Sequence, residues 1–184
     1  MASIPLLLSL GSDPALGHLE TGTTPLIYAA RNGEMAAVEV LLDALGKDTD
    51  VDVADSHGST ALNVVAITCN AGVAARLIGA GASVLRKDLA GNNAMHVGAW
   101  YCKEKEEESA RAFATVLMEG LAGEGGMGSL DVFGGTKRSA LMLAAMRGNK
   151  GFVDVLVEHG ASLTLRGDNA DNKSAQELSN DAEL

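Results

Sequence analysis

The chain has 184 residues, of which 47% are hydrophobic and only 3% aromatic, with 22 glycines. That composition excludes disorder throughout and points away from a bulky single core, toward thin layers filled by Leu, Val, Ala and Met. Against 14 Lys and Arg stand 24 Asp and Glu, a net charge of -10. No basic stripe offsets it, so a nucleic-acid backbone is excluded as a partner, and no apolar run is long enough to span a bilayer. Cys69 and Cys102 show no CxxC spacing and supply neither a zinc set nor a disulfide framework, which fits a reducing compartment.

In chain order, the first apolar stretch is Ile4, Pro5, Leu6, Leu7 and Leu8. No basic residue precedes it, so it is not expected to be a signal peptide. With Ser9, Leu10 and Gly11 it matches the close of a helix, as in a partial repeat over about 4–23. Thr24, Pro25 and Leu26 then lead into Tyr28, Ala29 and Ala30, and this start recurs at Thr60-Ala61-Leu62, Asn93-Ala94-Met95-His96, Ser139-Ala140-Leu141 and Ser174-Ala175, at separations of 36, 33, 46 and 35 residues. A hydrophobic pair follows 17 and 18 residues after three of the starts: Leu41-Leu42, Leu77-Ile78 and Leu156-Val157. Glycine closes each unit soon afterwards, and a polar turn such as Asp55-Ser56-His57-Gly58 precedes the next. The period is one turn plus two helices.

The third copy carries about 13 extra residues. One part is the charged run 103–108, expected to lengthen the outer helix at its N-terminal end, where carboxylates suit the helix dipole. The other is 122–129, rich in glycine and expected to be a flexible loop. From about 171 the chain starts another inner helix and soon turns polar, as a C-terminal cap should.

Start motif, loop glycine, hydrophobic pair and terminal glycine, recurring in order over nearly the whole chain, resemble the ankyrin repeat, with its period of about 33 residues and its T-P-L-H-x-A start. Only His96 keeps the histidine of that start; Ile27, Asn63 and Met142 replace it, so irregular hydrogen bonding among repeats is expected. The resemblance implies one all-α solenoid over 1–184, made of helix-turn-helix units with hairpin-like turns, and repeats starting near 24, 60, 93 and 139.

Candidate chemistry is sparse. The stretch 123–128 fits G-x-G-x-x-G, but it follows a helix, whereas pyrophosphate binding needs a strand before and a helix after. Asp55, His57 and Ser59 lie on one turn, and a triad needs convergence from separate elements. His96 reads as a structural hydrogen-bonding residue and His159 as a helix-terminal one; neither has a second metal ligand at helical spacing. Cys69 and Cys102, at the register where other copies carry Gly33 and Gly148, are expected to stay free thiols, because packed helices lie roughly 8–10 Å apart and a disulfide needs Cα atoms within about 7 Å. No catalytic, cofactor or metal site is expected, and no enzyme.

What the resemblance implies is protein recognition through a concave groove: an adaptor, scaffold or inhibitor, monomeric, in the cytoplasm or nucleus. The alternative is an assembly factor that oligomerises or docks through the apolar N-terminal half repeat. By alignment the groove positions are the turn tips, with His57, Leu89 and Arg138 among them, and the inner-helix ends, Arg31, Ile67, Trp100, Tyr101, Met146 and Arg147. Trp100, the one tryptophan, is expected to be exposed beside Tyr101, with Leu89 and Phe133 extending the patch; the competing arrangement folds Trp100 inward.

Overall fold

A computed structural model describes residues 13–46, 49–102, 105–168 and 172–182. The apolar segment at 4–11, and with it the half-repeat docking element, lies outside the described residues. Helices alternate: α1 Pro25–Arg31, α2 Met35–Leu45, α3 Ala61–Thr68, α4 Ala71–Gly79, α5 Ala94–Tyr101, α6 Glu107–Gly123, α7 Ala140–Arg147, α8 Lys150–Glu158 and α9 Ala175–Ala182. The odd-numbered helices form an inner row and the even-numbered an outer row, each helix packing on its counterpart in the next unit. No strand occurs among the described residues; the turns between units are hairpin-like fingers closed by backbone bonds such as Asp55 N–H to Ser59 O at 3.0 Å and Asp88 N–H to Asn92 O at 2.9 Å.

Capping chemistry explains why the start motif recurs. Thr24, Thr60, Asn93 and Ser139 are N-caps whose side chains accept the backbone N–H three residues on, satisfying one of the donors a helix start leaves unpaired. All four are buried, so each cap also seals its unit against the next. Ser174 accepts from Glu177 N–H in the same way at the last start. Small residues, Ala30, Ala66, Ala99 and Ala144, are wholly buried on the inner row and permit the close stacking that a repeat array requires.

The third unit departs from its neighbours in the outer row. α6 has 17 residues where α2 has 11 and α4 and α8 have 9 each. Glu107 and Glu108 stand in its first turn, while Lys103 and Glu104 lie outside the described residues. At the other end the glycine-rich stretch is not the flexible loop its composition suggests. α6 runs on to Gly123, a short 3-10 turn spans Gly126–Ser129, and Gly126 is buried where a Cβ would meet Leu121 and Leu85. Glu124 fixes the stretch to the second unit, accepting from Ser83 Oγ at 2.7 Å and from Val84 N–H at 2.6 Å. Glu124→Ala, or deletion of 123–128, is therefore expected to lower stability by about 1–2 kcal/mol through loss of these charge-assisted bonds. Urea denaturation checks this, and an unchanged midpoint would show the anchor to be idle.

The cysteines also differ from expectation. Cys69 and Cys102 are joined in a disulfide, with Cα atoms 5.6 Å apart. Both are C-caps, of α3 and α5, so the relevant spacing is that between chain ends rather than between helix axes. Cys69 adopts the left-handed conformation, φ 56°, that Gly148 takes at φ 62° in the fourth unit, whereas Cys102 at φ -68° does not.

Candidate functional site

The inner helices stack in one row, and the fingers bond to one another along it, Ser56 N–H to Thr21 O at 2.8 Å and Leu89 N–H to His57 O at 2.9 Å. Leu89 is 81% exposed at its tip, and Ile67, Tyr101, Arg31 and His57 are exposed as well. Trp100, Met146, Arg138, Arg147 and Phe133 are half-buried. Phe133 packs on the core at the foot of its finger, where its carbonyl accepts from Lys87 Nζ at 3.0 Å. Trp100 is neither free in solvent nor folded into the core. The Arg147 guanidinium carbon sits 4.8 Å from its ring centroid, a cation–π arrangement, and Arg147 Nε donates to the Trp100 carbonyl at 3.1 Å. Tyr28, which the start motif groups with the inward-facing alanines, is 61% exposed on the same face, and Leu19 stands fully exposed on the first finger.

Between α5 and α7 the face deepens into a cavity of about 270 Å³. Val97, Trp100, Leu143 and Met146 supply apolar wall, and Asn92, Thr136, Arg138 and Tyr101 the rim, with His96 at its inner side. Four sequence-derived positions, Trp100, Tyr101, Arg138 and Met146, thus meet at one place; Arg31, His57, Ile67 and Leu89 lie elsewhere along the groove. Val97 and Leu143 were not legible as cavity wall, since at their register the other copies carry Tyr28 and the buried Val64.

His96 fixes the cavity floor. It is 2% exposed, its Nδ1 lies against Asn93 Oδ1, and its Nε2 donates to the Val132 carbonyl at 3.0 Å, tying the third start to the fourth finger. Asn63 does the same one unit earlier, donating to the Asn92 carbonyl at 3.4 Å, while Ile27 and Met142 have no polar side-chain atom to offer. Burial lowers the His96 pKa to about 4 from 6.5, opposed by the Val132 carbonyl. Because the folded-state value is depressed, protons favour the unfolded chain. The neutral ring's contribution is complete above about pH 6.5 and drains away as pH falls toward 4. Between about pH 7.5 and 4.5 the native chain is expected to lose about 2–3 kcal/mol more than His96→Asn does. Asp52, whose carboxyl is pushed up by burial, acts in the opposite sense, but equally in both proteins. Equal losses in parallel urea titrations would refute the assignment.

Asp55 is engaged in its own turn. The Asp55 side chain is 4% exposed and accepts from His57 N–H at 2.9 Å and Ser59 N–H at 3.0 Å, so it holds the finger closed, and Arg31 reaches it from the preceding unit at 3.8 Å.

Two matches to family models decide what this stack is. A model of ankyrin repeats in three copies covers residues 2–88, and a single ankyrin-repeat model covers 136–168. The chain belongs to the ankyrin-repeat family. Between the two matched stretches the ankyrin array continues without a break, since α5 packs on both α3 and α7, and α6 on both α4 and α8. No curated protein matches the chain. Ankyrin repeats are protein–protein interaction modules, and no helix among the described residues is long and apolar enough to cross a membrane.

Proposed function

We propose that this ankyrin protein is a non-catalytic adaptor, scaffold or inhibitor that holds a protein partner in its concave groove, centred on Trp100 and Tyr101. The observation that carries this reading is the coincidence on one face of exposed Tyr28, Ile67, Leu89 and Tyr101 with the cavity beside Trp100. Aromatic and aliphatic side chains so placed, next to arginines, have the make-up of an interface hot spot. The test is site-specific photocrosslinking. A photoreactive residue replaces Tyr101 or Ile67 in the groove, or Asp43 or Asp154 on the outer helices, in extract from the native source. Adducts to one protein species from the groove positions alone are expected; adducts mainly from the outer positions would reject the groove. Light scattering after size exclusion, expected to give a monomer mass, separates this reading from self-assembly.

A further inference from the structure

We infer that the cavity between the third and fourth repeats receives a bulky apolar side chain from a partner segment whose flanking residues are acidic, an inference that rests on the groove being the binding face. The argument begins with where the charge lies. The chain carries -10, yet the inner helices of the four full units, α1, α3, α5 and α7, contain no carboxylate and two arginines, Arg31 and Arg147; only α9, at the C-terminal end of the row, carries acid, Glu177 and Asp181. The outer helices α2, α6 and α8 together contain seven, Glu39, Asp43, Glu119 and Asp154 among them. Asp55 and Asp88 close their own turns, accepting from Ser59 N–H and Asn92 N–H, while Asp131 accepts from Ser162 N–H and the exposed Asp168 is paired with Lys137 at 2.7 Å. Beside the cavity acid is thus displaced to the outer helices, and among the described residues Arg138 is the only formally charged one lining it. A second guanidinium, that of Arg147, lies against the Trp100 wall.

A basic segment would be drawn to the convex face and repelled from this rim. An acidic one meets the reverse field, which fixes which partners can approach and in what register. The wall of Val97, Trp100, Leu143 and Met146 then selects what enters: a Leu, Met or Phe side chain gives up water there, while an acidic neighbour stays at the rim by Arg138. The cavity opens to the groove, where Tyr101 continues the apolar surface, so a peptide segment is accommodated and not only a detached small molecule.

The experiment is display selection of random 12-residue peptides on the full chain, then synthesis of the enriched sequences and titration followed by the fluorescence of Trp100. Enriched peptides are expected to pair one bulky apolar residue with Asp or Glu. They should lose about tenfold or more in affinity when the acid is changed to Lys or the anchor to Ala, and Arg138→Glu should reverse the Asp-to-Lys preference. The peptide changes leave the protein untouched, so they decide the matter even where Arg138→Glu disturbs the fold. Peptides that perturb Trp100 without preferring acid or an apolar anchor overturn this inference and leave the groove reading standing. Failure to enrich any peptide that perturbs Trp100 overturns both.

Discussion

Phe152→Ala is expected to lower the free energy of unfolding by about 3–5 kcal/mol, the largest single-residue effect foreseen for this chain. Phe152 is wholly buried in α8 and its ring packs on that of Phe113 in α6, centroids 6.3 Å apart. These two of only three phenylalanines fill the space that Gly98 leaves open in α5, where a Cβ would come within 2.6 Å of Phe152 and 3.0 Å of Phe113. The other starts carry Ala29, Val65 and Ala144 at that register. Ring and glycine therefore form one packing unit. Gly98→Ala should destabilise the native chain and be better tolerated in the Phe152→Ala background, a coupling that a double-mutant cycle in urea measures. A loss below about 1 kcal/mol for Phe152→Ala would mean that the site collapses without a cavity.

Reduction of Cys69–Cys102 is the second large effect. The bond closes a loop of 33 residues, and the loop-closure account assigns about 3–4 kcal/mol to a ring of that size. Cys69 also occupies a left-handed position suited to glycine, which costs a β-carbon-bearing residue about 1 kcal/mol. Once the bond is gone, that cost remains. Hence the double variant Cys69→Gly with Cys102→Ala should be more stable than the reduced native chain and less stable than the oxidised one. Melting with and without a reductant tests this; a native midpoint indifferent to reductant would show that the sulfurs are not bonded.

The repeat register was legible because every unit begins with a side chain that caps a helix, a requirement set by backbone donors whatever packs around them: Thr24, Thr60, Asn93 and Ser139 all meet it. Candidate groove positions come from laying the ankyrin resemblance on that register, since periodicity alone does not say which face binds. Contacts between units follow from neither. Nothing in the spacing of Trp100 and Arg147 announced that the guanidinium would lie over the ring, and nothing at Cys69 announced that two helix ends converge more closely than helix axes. Glycine content around 125 suggests freedom, but Glu124, one charged residue reaching back 40 positions to Val84, ties that stretch down. Local chemistry fixes local conformation, whereas the cavity and the disulfide depend on pairs far apart in sequence.

The long helix α6 is fastened on both flanks. Arg111 bonds Glu158 of α8 through both carboxylate oxygens, at 2.6 and 2.9 Å, and Glu124 grips the turn after α4. In an array whose units hold only their nearest neighbours, the best-fastened member sets where melting stops. Here that member is third of four, so melting is expected to run inward from α1 and from α9 and to halt at α5 to α8. Amide exchange would record this as a gradient of protection highest in Phe113 and Phe152 and falling toward Tyr28 on one side and α9 on the other. A half-melted molecule of this kind has lost the Tyr28 end of its concave face while the recess beside Trp100 is still walled on both sides. Whatever seats a side chain there keeps its foothold through fluctuations that erase the rest of the groove.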